Sequence, residues 1–595
     1  MRRRDFLISG MAYPAATALS RVTPAMASPL PQKIVDVHCH IFNSLDLPMV
    51  EFIDKAYLRN AVSDPTVAPY TPLIDAILAD LSKRLRTETK DDNSDRSLNQ
   101  CLAYERQFVT RLFRDWKNNS VPLPPSAQDM ALLDILDAYL PTIVFGFLRR
   151  ELSPGNFSGP KDFSLNSVLD NSDGAFTLEP EFDSDYLAGQ IYEQDTSDKL
   201  ISHSISWGVI FTRSRRELAD QLNRVNNDRA VLVTPAMVDF TKWLDASSDK
   251  TTALADQVAA MGRLSHEDRP GQPRIHGFVA FDPLRQAIYD KVGGAPADSP
   301  LAIIDKAVTQ DGFIGVKLYP PMGFRPTKNA SAGDDFPCWV RFGSGSPGYG
   351  VKCVNPKHTP DGLGNDPGQV LDDVLVRLYT WCVTKSVPIM AHTNNSNAAG
   401  PGYGTRANPD YWNLVLQQQQ FRTLRINMAH FGGFNEAFKS GTFKPGDLSQ
   451  TWEWKIGQMF SANPNAIVFS DISYFSEVLQ RNSQQRKQTL LAMRQFTNAF
   501  ANSDRLLMYG TDWSMIGHEL KFPTASQLPY PDVIAEFLAD AGYNADQLEN
   551  IFFRNAGRFL GLLPSDRANG ARGRLEAFYG TPANSAWLQM FDQVT

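Results

Sequence analysis

The sequence predicts an α/β chain whose parallel strands form a (β/α)8 TIM barrel, with a long helical insertion after strand 1 and a loop-rich insertion after strand 4. Two observations carry this. Eight short apolar runs recur along the 595 residues. They lack the alternation of a strand wetted on one face, as strands covered on both faces do. Helical patterns separate several of them, and five of the eight end in His or Asp. A doubly wound open sheet would show similar runs. The polar strand ends tip the choice, because a barrel gathers its strand C-termini at one mouth.

In order, the runs are 34–38, 230–235, 275–281, 313–319, 387–392, 424–430, 466–471 and 506–512. Helical patterns at 216–223, 370–385 and 484–500 supply crossovers. Nearly two hundred residues separate the first two runs. Much of 45–200 is helical in pattern, as at 70–86 and 98–116, and forms either a cap over the mouth or an accessory helical subdomain. The second insertion, 320–369, is rich in Gly, Pro and Asn and should wall the mouth. The barrel region spans 33–562, and 563–595 forms a C-terminal extension. No internal repeat is visible.

Hydrophobic residues make up 43% and charged residues 21%, enough for a large core. A net charge of −7 gives no reason to expect nucleic acid or anionic lipid as a partner. Residues 1–27 read as an export leader. Arg3-Arg4-Asp5-Phe6-Leu7 resembles the twin-arginine signal, an apolar stretch follows, and Ala25-Met26-Ala27 offers a cleavage site. The expected location is periplasmic or secreted, with no membrane association once the leader is removed; an ordinary secretory signal or an uncleaved anchor is the alternative. Five cysteines are too few for a disulfide scaffold. Cys338 and Cys353 flank a Gly/Ser-rich loop, where an oxidising compartment would permit a bridge.

The chemistry concentrates at the run ends. Val35-Asp36-Val37-His38-Cys39-His40 places two imidazoles two residues apart, on one side of a strand, where both can meet one metal ion. Cys39 then points toward the helix layer. His-x-His alone is weak evidence. Pro388-Ile389-Met390-Ala391-His392, Met428-Ala429-His430-Phe431-Gly432-Gly433 and Tyr509-Gly510-Thr511-Asp512-Trp513 add polar ends to three more strands. Of nine histidines, four lie at strand ends with an aspartate to match, which a purely structural reading does not explain.

In these motifs, and in Asn555-Ala556-Gly557-Arg558-Phe559-Leu560, the chain resembles the amidohydrolase superfamily, and most closely its amidohydrolase-2 branch, which includes aminocarboxymuconate-semialdehyde decarboxylase. The resemblance runs from about residue 34 to 562, interrupted by the two insertions. It implies that His38, His40, His392 and Asp512 hold a divalent metal, zinc first among the candidates. Asp512 would also accept a proton from the attacking water, and His430 would act beside the ion as acid, base or polariser. Three nitrogens and an oxygen leave room for water, whose pKa the ion lowers.

One ion is expected, or two if Lys317 in Gly315-Val316-Lys317-Leu318-Tyr319 is carboxylated and bridges them. Lys317 could instead hold a substrate carboxylate or reach toward solvent. Tyr319, Arg325, Asn394 and Arg406 are further candidates for contact with a small-molecule substrate, as are Asn395, Tyr403 and Trp513. The leading reading is a hydrolase acting on an amide, lactone or ester. The alternative is a non-oxidative decarboxylase of a small carboxylic acid, and a non-catalytic binding protein comes third. Oligomeric state is open.

Overall fold

The computed structural model describes residues 31–52, 55–56, 80–87, scattered positions from 89 to 111, and 210–594. Within the last stretch, 247–250, 333–335, 347–357, 396–397, 434–447, 464–466, 481–482 and 519–528 fall outside the described residues. The expected leader, most of the helical insertion and Cys353 also lie outside them. Among the described residues no helix is long and apolar enough to cross a membrane.

The strands are β1 (Ile34–Cys39), β2 (Ala230–Pro235), β3 (Arg274–Ile275), β4 (Phe278–Ala280), β5 (Gly315–Leu318), β6 (Ile389–His392), β7 (Ile426–Ala429), β8 (Val468–Asp471) and β9 (Leu507–Met508). All pair in parallel, in two sheets of order β1-β2-β3 and β4-β5-β6-β7-β8-β9. A parallel bridge between Ala236 and Phe278 links the sheets. At the other side the first strand meets the last: Val37 N donates to Tyr509 O at 3.2 Å and Thr511 N to His38 O at 3.1 Å.

The expected run 275–281 is interrupted. Arg274–Ile275 and Phe278–Ala280 flank His276-Gly277, where Ile314 N still donates to Gly277 O at 2.9 Å. The expected run 506–512 keeps only two strand residues; four residues beyond them Asp512 turns into the left-handed region at φ 55°.

Helices fill the crossovers: α1 (Arg215–Val225), α2 (Leu254–His266), α3 (Pro283–Val292), α4 (Pro300–Thr309), α5 (Pro367–Lys385), α6 (Pro409–Leu416), α7 (Trp452–Ala462), α8 (Gln484–Ala499) and α9 (Tyr530–Asp540). Local sequence explains their starts. Ser214 and Glu217 close a capping box on α1, and Asp366 caps α5 ahead of Pro367; both satisfy amides that a helix start leaves unpaired.

The strands have two apolar faces. Val316, Leu318, Ile389, Ala391, Ile426, Met428 and Val468 pack with helix residues such as Leu371, Leu375 and Phe496. Val35, Val37, Leu232, Phe278, Met390, Phe469 and Met508 form a second cluster with Leu560, Leu575, Leu588 and Phe591 of the C-terminal part. Register places Lys317 opposite Met390, Met390 opposite Asn427, and Asp471 opposite Met508. The polar residues Lys317, Asn427 and Asp471 therefore share the second face.

β1 contains a bulge that sets where its histidines face. Asp36 pairs with Val233 and Cys39 with Pro235, so β1 spends one residue more than β2 over that step. A bulge reverses which side the following residues face. Asp36 turns away to Asn226 Nδ2 (3.0 Å) and Thr511 Oγ1 (2.7 Å), while His38 beyond the bulge meets Lys317 and Asp471 on the second face. Cys39 packs on the helix side, fully buried, as expected. Cys338 is disulfide-bonded, whereas Cys39, Cys101 and Cys382 are reduced thiols.

The C-terminal extension is tied to the strands. Helix α10 (Asn555–Leu560) precedes it, and α11 (Ala571–Tyr579) belongs to it. Tyr579 OH bonds His276 Nε2 at 2.9 Å, Gly312 O takes His276 Nδ1 at 2.7 Å, and Trp587 stacks on the ring at 5.6 Å. With both nitrogens engaged and its pKa pushed down to about 4 by burial, His276 is a structural residue.

Candidate metal centre

The polar strand ends converge. β1 brings His38 and His40, β5 brings Lys317, and β6 ends in His392. His430 follows β7, Asp471 ends β8, and Asp512 follows β9. His430 (φ 72°) and Asp512 (φ 55°) both sit in the left-handed region, at a cost of about 1–3 kcal/mol each. Gly510 lets the last strand close in: a Cβ there would lie 3.0 Å from His38 Cβ and 3.1 Å from Ser473 Cβ.

Two groups of candidate ligands share His38. In the first, His38, His40 and Asp512 bring their ligand atoms within 4.8 Å of one another. Asp512 Oδ1 lies 3.0 Å from His40 Nε2 and 3.7 Å from His38 Nε2. Two ligands of one tetrahedral ion sit about 3.3 Å apart, so the spacing fits. His40 Nδ1 is 2.7 Å from the Ala236 carbonyl, which only accepts, so Nδ1 carries the proton. Nε2 is thereby turned toward a carboxylate oxygen that is buried without a well-formed hydrogen bond. Two acceptors at that distance repel unless a cation or a proton lies between them.

The second group is His38, His430 and Asp471, and Ser473 sits at its centre. Ser473 Oγ is 2.9 Å from His38 Nδ1 and 2.9 Å from His430 Nδ1, and donates to Asp471 Oδ1. Asp471 also accepts from the amides of His430 (3.1 Å) and Ser473 (3.1 Å) and from Asn427 Nδ2 (2.7 Å), and faces His38 Nδ1 at 3.2 Å. Burial pushes the Asp471 carboxyl up, but His38, His430 and Ser473 outweigh it and hold it well below the usual range.

Burial and the neighbouring Lys317 push His38 down to about 3. Burial lowers Lys317 to about 8, partly offset by Asp471 and Asp512; its Nζ stands 2.9 Å from His38 Nε2. Burial, then His430 and Lys317, push His392 well below its ordinary value. The two imidazoles are thus held in their neutral forms, the forms that bind metal, while Lys317 keeps its proton below about pH 8.

Of the residues expected from sequence, His38, His40 and Asp512 come together and His430 joins through Ser473. His392 is in neither group; its ring lies against Tyr319 at 4.3 Å and His430 at 4.6 Å. Lys317 and Tyr319 are at the centre and line a pocket with Asp239, Asp282 and Trp243. Asn394 follows His392 in the chain. Arg406 is spent elsewhere: buried, it bonds Gly323 O and lies 3.6 Å over Tyr403. Arg325 is tied into its loop through Lys328 O and Ser331 Oγ, each at 3.3 Å. Two residues carry structure at this centre without having been assigned a role, Asp471 and Ser473. Asp471 ends an apolar strand, the same signal that singled out Asp512. Nothing in the sequence marks Ser473.

No family model matches the chain, and no curated protein matches it. Among solved structures, one similar chain is a Pseudomonas putida protein provisionally named a 2-pyrone-4,6-dicarboxylic acid hydrolase: 14% identity, 57% of this chain and 86% of that one covered, TM-score 0.30. Another is a Lactobacillus casei protein provisionally called a metal-dependent hydrolase: 12% identity, 90% and 96% covered, TM-score 0.36. Likenesses this weak carry no argument about this chain.

Proposed function

We propose that the chain is a divalent-metal-dependent hydrolase of the amidohydrolase type, with its strands closed into a (β/α)8 barrel. The hydrogen bonds from β1 to the last strand and the Ala236–Phe278 bridge support closure. The observation that carries the function is the approach of His40 Nε2 to Asp512 Oδ1, beside His38 Nε2, with His40 Nδ1 already committed to a carbonyl. A cation held between these atoms would satisfy both. His38, His40 and Asp512 would hold it, with His392 the fourth ligand after rotation of its ring.

A bound divalent ion, zinc first among the candidates, would polarise the substrate carbonyl and acidify a water molecule. Asp512 accepts the proton of the attacking water. His430, held at Nδ1 by Ser473, presents Nε2 as an acceptor that can take the proton collected by Asp512 and then pass it to the leaving group. Lys317, with its ammonium beside His38, suits the carboxylate of a small organic acid. The disulfide-bonded state of Cys338 supports export to an oxidising compartment.

The test is chelator-stripped against zinc-reloaded protein on a panel of lactones, esters and amides of small carboxylic acids. Metal-dependent hydrolysis is expected. Release of carbon dioxide without hydrolysis would replace this reading by the decarboxylase. Metal binding with neither reaction on any panel member would favour a binding protein.

A further inference from the structure

Ser473 has one hydroxyl proton and three polar neighbours. Asp471 accepts from the His430 and Ser473 amides and from Asn427 Nδ2, so its oxygens act as acceptors and the Ser473 proton goes to Oδ1. The two oxygen lone pairs are left for His38 Nδ1 and His430 Nδ1, each at 2.9 Å. Both imidazoles must therefore donate, and both carry their proton on Nδ1. A second contact agrees for His38: its Nδ1 also faces the Asp471 carboxylate at 3.2 Å.

We propose that Ser473 is a positioning residue that fixes the tautomer and ring orientation of two histidines at once, so that His38 offers Nε2 to the ion and His430 offers Nε2 to the substrate. The proposal rests on the metal-centre reading for what the two nitrogens do, but the tautomers follow from the hydrogen bonds alone. The carboxylate behind it anchors the hub, since Asp471 also binds the His430 and Ser473 amides. A hydroxyl is the one neutral group of that size that can accept twice while donating once. Outer partners of this kind set which ring nitrogen is free and support metal affinity.

The test uses full-length, metal-free protein labelled with 15N-histidine, the His38 and His430 signals being assigned by H38Q and H430Q. Both residues should show the Nδ1–H pattern in wild type. In S473A, His430 should move toward the Nε2–H form, and zinc affinity, measured by competition with a chromogenic chelator, should fall about 10- to 100-fold. An Nε2–H pattern for His430 in wild type would overturn the proposal, and that spectrum decides even if S473A fails to fold. An S473A protein with unchanged tautomers and zinc affinity would overturn it too. Wild-type tautomers as stated, with no zinc binding at all, would uphold the hub and overturn the metal reading.

Discussion

Lys317 should destabilise the metal-free protein, and its replacement should show it. The side chain is 2% exposed, and burial holds its pKa near 8 instead of the ordinary 10.5. That drop corresponds to about 3 kcal/mol of preference for the neutral amine in the folded state. The sign follows from linkage. Between about pH 8 and 10.5 the unfolded chain binds the Lys317 proton and the folded one does not, so stability rises with pH across that window. Below about pH 8 the full penalty is present. Lys317→Met keeps the aliphatic stem and removes the charge. It also loses the Lys317–His38 hydrogen bond, worth about 1 kcal/mol. The net gain at pH 7 is then about 2 kcal/mol, shrinking toward pH 10. Urea unfolding of metal-free wild type and K317M at pH 7, 9 and 10 measures it, the difference cancelling other groups that titrate there. A variant no more stable than wild type at pH 7, or a gap that does not narrow with pH, would refute the reasoning. A cost of this kind at a strand end marks functional retention, so K317M should also lose turnover.

Further outcomes follow from the same contacts. Asp512→Asn should cut turnover about 100- to 10,000-fold by removing the proton acceptor, while metal analysis still finds some ion bound; near wild-type turnover would remove Asp512 from that role. Asp471→Asn would turn an amide donor toward Asn427 Nδ2 or His38 Nδ1, both donors, and should cost about 3 kcal/mol in urea unfolding. Arg406→Met should destabilise by about 2 kcal/mol through the lost Tyr403 stacking and Gly323 bond, with metal content unchanged.

The parallel strands were legible because burial on both faces leaves unbroken apolar runs, and 389–392 and 426–429 sit where those runs predicted. The ends of strands were less so. Asp512, beyond the last strand, takes a positive φ that no apolar pattern announces, and the interruption at His276-Gly277 lies where His276 bonds Tyr579 of the C-terminal extension. His38 and His40 were recognised by spacing, yet their orientation depends on the bulge between Asp36 and Cys39, which only pairing with β2 reveals. Arg406 looked like a substrate contact because arginines on mouth loops often are; packing against Tyr403 and Phe336 engages it instead. Ser473 was invisible because a serine beyond a strand end is ordinary until three partners meet on it.

Metal content of the purified full-length protein, set beside the His38→Ala/His40→Ala double variant, tests the central claim most directly. About one equivalent of divalent metal in wild type, lost in the variant, is the expected result. About two equivalents would bring Lys317 into the ligand set as a bridge. A folded wild-type protein that holds no metal, even after reconstitution with zinc, would contradict the account and leave the His40–Asp512 approach to be bridged by a proton.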